Sequence, residues 1–444
     1  MSPAKPAQTT TNRDYPRIVV APPGPKAKTI IAKDKQYSSP SYIKEYPLVI
    51  DGGRGAMVED VDGNRYIDWM AGIAVSSTGY AHPKVVKAVV DAAAKFFHIC
   101  GTDFYYQGFA DLCEKLAQSA PGGGKWRVFL SNSGTESIEG AVKLARHHTR
   151  RGALISFHNA FHGRTYAGMS LSSSKVKYRK GFGPLLPEVY HLPFHNPYRN
   201  TLEDCVQAAL ELFETKLSPE DVAAVIIEPL QGEGGYAIPD KEFLQFWRRI
   251  CDEYGIMLVF DEVQTGVGRT GKMWACEHMG VAPDILVSAK GLGSGMPIGA
   301  ILAKESVMTW PRGSHGSTYG GNPVACASAL ATLALVDTEL ADNAVAMGAR
   351  LLAGLKKLQD KHACIGDVRG LGLFIGVEFV KDRATKEPAV ELVARLEQLA
   401  FTKGLLLLGC GKSTIRVAPP LVLDAYDVDK GLEIFDACLT ELEG

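Results

Sequence analysis

Several things are missing from this sequence, and each absence removes a class of function. No cysteine stands in a Cys-x-x-Cys pair; the nine, at positions 100, 113, 205, 251, 276, 326, 364, 410 and 438, are scattered singly. An odd, dispersed set argues against a disulfide frame or a zinc site and for reduced thiols. Neither sign of charge is in excess. Against 48 Lys plus Arg stand 49 Asp plus Glu, a formal net charge of −1, so nothing suggests the basic surface that nucleic acid or an anionic membrane needs. No uninterrupted apolar run approaches the roughly 20 residues of a membrane-spanning helix. The start, MSPAKPAQTTTNRDYPR, lacks the apolar stretch of a secretory signal. It has no acid before Asp14, a trait of transit peptides, but no arginine-rich amphipathic pattern accompanies it. A polar tail and a cytoplasmic location are the expectation.

What is present is an ordinary globular composition, 46% hydrophobic and 22% charged over 444 residues, long enough for two or three domains. APPGPKAKTIIAKD is a Pro-punctuated entry to a short helix, and GAMVEDVDGNRYIDW predicts a hairpin around Asp62-Gly63-Asn64. From about residue 80 to 330, strands and helices alternate. HPKVVKAVVDAAAKFF predicts a helix with Val85, Val86, Val89, Val90 and Ala93 on one face. WRVFLS predicts a strand, and TESIEGAVKLARHH a helix with an acidic first and a basic last turn. ALISF, VAAVIIE, IMLVFDE and DILVSA are nearly continuous apolar runs, the pattern of a mostly parallel sheet covered on both faces. The last hundred residues repeat the mixture on a smaller scale, as a second α+β domain.

In an open α/β sheet, ligands gather beyond the carboxyl ends of the strands. There the sequence places SNSGTESIE, HNAFHGRT, EPLQGEGG, DEVQTGVGRTG and AKGLGSGMPIGA, one group after each apolar run. SNSGTES opens a helix and is either a simple cap or a phosphate cradle. Asp261, at the end of IMLVFD, is either a cap or ion pair, or an acid aimed at a cationic ligand. Lys290 follows DILVSA and is either solvated or a buried amine. Together, a phosphate cradle, a strand-end acid and a strand-end lysine match the needs of pyridoxal 5′-phosphate: an anchor, a ring-nitrogen partner and an amine for its aldehyde.

Seven motifs in order, SNSGTESIEGAVKLAR, FHGRT, EPLQGEGG, DEVQTGVGRTG, SAKGLGSGMPIGA, GSTYGGNPVACA and IRVAPPLV, resemble the class III (ω-amino) aminotransferases of the fold-type I pyridoxal-phosphate enzymes, from about residue 40 to the C-terminus. The look is that of 4-aminobutyrate, acetylornithine and ornithine aminotransferases. The resemblance implies an α/β large domain with a mostly parallel sheet and a smaller α+β domain. The organisation expected is a flexible tail over 1–16, an N-terminal segment over 17–75 packing with the small domain, the cofactor-binding domain over 76–332, and the small domain over 333–444. By the same resemblance Lys290 binds the cofactor covalently, Asp261 faces its ring nitrogen and Gln264 its 3-hydroxyl. Ser133, Gly134 and Thr135 hold the phosphate, Phe161 stacks on the ring with His162 beside it, and Glu228 lies behind. Thr318 reaches the phosphate of a neighbouring subunit, which implies a homodimer with shared sites. Arg416 takes the substrate's α-carboxylate, Glu233 pairs with Arg416 when an ω-amine donor binds, Arg164 contacts a second carboxylate, and Ile73 begins the substrate-pocket loop.

The implied reaction is a ping-pong transfer of an amino group from an ω-amino acid or diamine-type donor to 2-oxoglutarate. The alternative on the same motifs is an amino-acid racemase or epimerase. HICGTDFYYQGFADL departs from the 4-aminobutyrate pattern by being longer before Gln107, so pocket residues over 99–107 are not assigned by matching. No metal is expected: His158 and His162 are four apart but lie in a loop and lack an acidic third ligand. GSGMPIG and GGGK depart from the P-loop pattern and are expected to be turns.

Overall fold

Short apolar runs bounded by glycine, proline and polar loops become strands, and these assemble into three sheets. The computed structural model describes residues 13–444. Strands β1 (Ile50–Arg54), β2 (Met57–Asp60) and β3 (Arg65–Asp68) form an antiparallel ribbon. The predicted turn between β2 and β3 is closed by Asp60, whose Oδ1 accepts from the Asn64 and Asp62 N–H groups at 2.8 and 2.9 Å. Gly63 there has φ +89°, a conformation costly to any residue with a Cβ.

The central sheet holds β4 (Trp126–Ser131), β5 (Ala153–Phe157), β6 (Val189–Leu192), β7 (Val222–Ile227), β8 (Met257–Asp261), β9 (Ile285–Ser288) and β10 (Gly299–Lys304), in the order β4-β10-β9-β8-β7-β5-β6. Four of its pairings are parallel, and β10 is antiparallel to both neighbours. Every residue of β5 and β7 is buried, which is why their sequences run apolar without alternation. β6 and β10 are strands that the sequence pattern does not announce.

The third sheet joins β11 (Ile365–Leu371), β12 (Phe374–Phe379), β14 (Leu408–Cys410) and β15 (Thr414–Val417), all antiparallel, in the order β11-β12-β15-β14. The two-residue β13 (Leu405–Leu406) instead runs parallel to β3 and extends the N-terminal ribbon.

Helices cover the sheets. Gly134–Thr149 starts at an N-cap, Ser133, whose side chain accepts from the Glu136 N–H, and ends in Arg146, His147 and His148, complementing its dipole. Lys241–Tyr254 buries Phe243, Leu244, Phe246 and Trp247 and ends at Gly255 with φ +65°. Each such aromatic contributes about 1.5–3 kcal/mol by burial. In Pro83–Lys95 the expected face is only partly right. Val85 is buried, but Val86 and Val90 are exposed by 46% and 58%, because they lie on the stripe one residue, about 100°, round from Val85 and Val89.

Helical structure is continuous from Pro323 to Lys361 and includes a window long and apolar enough, by length and composition, to cross a membrane. Its apolarity has another use here: Ala325, Ala329, Leu333 and Leu335 are buried in the main core. Of the stretch expected as a tail, residues 1–12 lie outside the described residues. Its last residues are held rather than free: Tyr15 is buried and donates to Asp427 Oδ1 at 2.9 Å, and Arg13 ion-pairs with Asp424. The acids at the start of helix Ala425–Glu443 supply those partners.

Candidate active site

Beyond the carboxyl ends of β5, β7, β8 and β9 lies a cavity of about 370 Å³. It shares Phe161, Arg164, Gln264 and Lys290 with a wider cavity of about 630 Å³ that reaches Ile73, Glu233 and Arg416. At one end stands the first turn of helix Gly134–Thr149, whose N–H groups have no intrahelical acceptor. Ser133, Gly134 and Thr135 line the cavity there. A Cβ on Gly134 would stand 2.9 Å from the Val263 side chain, and one on Gly163 would stand 2.1 Å from the Thr135 hydroxyl. Both glycines are therefore needed for close approach. Thr135 Oγ1 lies 2.7 Å from Thr165 Oγ1, so the loop and the helix start are tied together.

Asp261 ends β8 and is buried, which would be costly for a lone carboxylate. Its Oδ2 takes a hydrogen bond from His162 Nδ1 at 2.8 Å and its Oδ1 one from the Val263 N–H at 3.0 Å. Burial opposes the charged imidazole of His162, but the hydrogen bond to Asp261 and that group's charge outweigh it, and the His162 pKa is raised. Burial pushes Glu228 up to about 7, although it accepts from the Gly232 and Phe161 N–H groups at 3.0 and 3.1 Å. One residue beyond Asp261, Glu262 does not join the site; it accepts from the Ala275 and Cys276 N–H groups.

Lys290 follows β9 with φ +43° and is held close to its neighbours by glycines. A Cβ on Gly291 would come within 2.6 Å of the Ser77 hydroxyl, and one on Gly293 within 2.0 Å of the Met296 carbonyl. Desolvation is the largest influence on the amine; with Arg416 it outweighs the attraction of Asp261, Glu228 and Glu233, and the pKa falls to about 8.

The wider cavity is built round Arg416 on β15. Arg416 is 1% exposed; its Nη2 lies 2.5 Å from Glu233 Oε2 and donates to the Gly409 carbonyl at 3.0 Å. Its Nε and Nη1 are buried without a partner among the described residues. Burial would raise the Glu233 pKa, but Arg416 and Lys175 outweigh it and hold the carboxyl below its ordinary value. Arg164 stacks on the Tyr178 ring at 3.9 Å. Ala71 to Ala74 all have positive φ, Ile73 at +68° among them, a conformation that costs a β-branched residue about 1–3 kcal/mol. Asp68 Oδ1 secures this turn by accepting from the Met70 and Ala71 N–H groups at 2.8 and 3.1 Å.

Of the residues singled out from sequence, all but Thr318 line one of these two cavities. Thr318 is exposed and lines neither. The unassigned segment 99–107 does not line them either; Gly101 to Tyr105 border a separate cavity of about 460 Å³ with Arg312 and His315. Sequence reading missed Lys175 and Tyr178, which lie in a loop with no periodic pattern, and Tyr46, which arrives from the N-terminal segment. Val263 was also missed, although its place between Asp261 and Gln264 is a signal that the same edge continues.

Residues 38–439 match the family model of class-III aminotransferases. The 5-aminovalerate aminotransferase of Pseudomonas aeruginosa is 39% identical over 423 residues, covering 94% of this chain and 99% of that one. The 4-aminobutyrate aminotransferase of Escherichia coli is 39% identical over 401 residues, covering 89% and 94%. An alanine/serine racemase of Pyrococcus horikoshii is 37% identical over 445 residues, covering 96% and 93%. Among solved structures, a transaminase from the marine bacterium Virgibacillus superposes with a TM-score of 0.88 at 30% identity, covering 94% and 99%.

Proposed function

The chain belongs to the class-III aminotransferases, and from that premise we propose what its individual residues do. It is a pyridoxal 5′-phosphate-dependent enzyme that moves an amino group from an ω-amino acid to a 2-oxo acid. The residues fit that cofactor on three observations. Gln264 Oε1 and His162 Nε2 are buried without partners among the described residues, so the cavity holds polar atoms suited to a ligand. Ser133, Gly134 and Thr135 line the cavity at a helix start, small residues suited to a phosphate. Lys290 is a desolvated amine in the same cavity, suited to an aldehyde.

When bound, the cofactor supplies an aldehyde carbon that exchanges amines and a ring that withdraws electrons. Lys290 would hold it and, once freed, move a proton at the substrate's amine-bearing carbon. Asp261, fixed by His162 and the Val263 N–H, would keep a proton on the ring nitrogen. Gln264 would meet the 3-hydroxyl, Phe161 the ring face, and Ser133, Gly134 and Thr135 the phosphate, with Glu228 behind. At the far end Arg164 would bind the donor's distal carboxylate and Ile73 would border its chain. Thr318, outside the cavities of its own chain, would complete the phosphate site of a second copy, making the enzyme a homodimer. Nine free cysteines among the described residues support the reduced cytoplasm as its compartment.

The observation that carries the donor class is the 2.5 Å pair between Glu233 and the buried Arg416. Paired, it hides the arginine's charge and admits an uncharged methylene chain ending in an amine. Opened, it offers a bidentate site to the α-carboxylate of 2-oxoglutarate. The test is a single half-reaction. Holoenzyme mixed with 5-aminovalerate or 4-aminobutyrate, without acceptor, is expected to turn its cofactor to the amine form and release the matching semialdehyde. The racemase relative gives the second reading its specific ground. Chiral analysis of alanine incubated with the enzyme decides it: racemisation without amino transfer would overturn the aminotransferase assignment.

A further inference from the structure

Glu233 has a second cation that the masking of Arg416 does not use. Its Oε2 faces Arg416, while its Oε1 lies 3.0 Å from Lys175 Nζ and accepts from the Tyr178 hydroxyl at 3.3 Å. The two cations come from different parts of the fold: Arg416 from β15, Lys175 from the loop before the short turn Val176–Tyr178. They also differ in freedom. The Arg416 side chain is 2% exposed, that of Lys175 34%, so Lys175 can follow a moving carboxylate and Arg416 cannot.

We propose that Lys175 is a positioning residue for substrate choice: it receives Glu233 when a substrate carboxylate takes Arg416. The inference rests on the reading of the Glu233–Arg416 pair given above. Two buried guanidinium nitrogens of Arg416, Nε and Nη1, have no partner among the described residues, so an entering carboxylate has donors waiting. Its charge then faces Glu233, whose carboxylate is mostly enclosed. An enclosed carboxylate that loses its only cation must move or take up a proton. Lys175 spares it the proton by keeping the second oxygen paired as the carboxylate moves off Arg416. Arg164 is unsuited to the task, because it lies on the Tyr178 ring and is assigned to the distal carboxylate.

Calorimetric titration of holoenzyme with two unreactive analogues tests this. Glutarate carries both carboxylates and needs Arg416 open; valerate carries one and does not. In Lys175→Met, glutarate is expected to bind at least tenfold more weakly, valerate within twofold of wild type, and the KM for 2-oxoglutarate to rise in step with the glutarate Kd. Lys175→Arg should restore glutarate binding to within threefold. In a Glu233→Gln background, Lys175→Met should change glutarate binding less than twofold, since no anion remains to be held. Glutarate binding within twofold of wild type in Lys175→Met would overturn the inference. So would an equal loss in the Glu233→Gln background, which would mean that Lys175 attracts the substrate directly. Lys175→Gln supplies the same comparison if the methionine variant does not hold cofactor. Failure of the underlying assignment looks different: wild-type enzyme would release no semialdehyde from any ω-amino donor, whatever the Lys175 variants bind.

Discussion

An amine that titrates near 8 rather than 10.5 is neutral in about one molecule in ten at pH 7, against about one in three thousand for a solvated lysine. That gain in free amine is what desolvation contributes at Lys290, and it gives a pH profile. Because the neutral amine attacks the cofactor's aldehyde, reconstitution of cofactor-stripped protein should speed up about tenfold per pH unit below 8 and level off above it. Stopped-flow absorbance from pH 6 to 10 checks this, and a rise continuing to pH 10 would show that the pocket does not lower Lys290. Asp261 sets a second expectation. Asp261→Asn keeps the volume and a contact for His162 but removes the charge, so the holoenzyme should still bind cofactor while the donor half-reaction slows by about 10²–10⁴-fold. A rate within threefold of wild type would give Asp261 some other role. Both residues were legible because each directly follows an apolar strand run. Lys175 was not, because nothing in SSSKVKYRK marks which lysine meets a carboxylate 58 positions later.

Elements were legible in proportion to how local their causes are. The helix Gly134–Thr149 carries its cap, dipole charges and apolar stripe in sequence. β10 does not, since a six-residue run, GAILAK, is a strand only because β4 and β9 leave an edge between them. Packing between elements is more demanding still. In the helix Ala341–Lys361, Gly348 lies against the turn joining β11 to β12, and a Cβ there would stand 2.1 Å from the Gly372 carbonyl. Gly372 cannot easily yield, having φ +55° and lying so near Thr270 that a Cβ on it would stand 2.5 Å from the Thr270 carbonyl carbon. Gly348→Ala is therefore expected to cost about 1–3 kcal/mol although alanine favours helices, lowering the unfolding temperature of the holoenzyme by several degrees. An unchanged melting curve would show that the helix shifts freely.

At the scale of the whole molecule, large hydrophobic side chains remain on the outside of one chain, among them Phe97 at 72%, Tyr105 at 101% and Tyr319 at 63% exposure. A neighbouring subunit would cover such residues, in keeping with the homodimer proposed from Thr318. Complementation reads this directly. Lys290→Ala and Thr318→Asp homodimers should each be nearly inactive, the second because a carboxylate opposes the phosphate. Unfolded together and refolded, they should recover about a quarter of wild-type activity, since half of the dimers are mixed and each has one intact site. No recovery beyond the separate variants would mean that Thr318 serves its own chain or none.

The sequence by itself determined the fold class, the order of the apolar strands and the residues at their ends, because hydrophobic burial and helix capping act over a few neighbouring positions. It also contained Glu233 and Arg416 as members of recognisable motifs. Only the tertiary structure decided that those two meet at 2.5 Å, that Lys175 closes on the other oxygen at 3.0 Å, and that Thr318 stands apart from the cavities its own chain encloses. The charge of a buried group depends on what surrounds it in three dimensions, and distance along the chain carries almost no record of that.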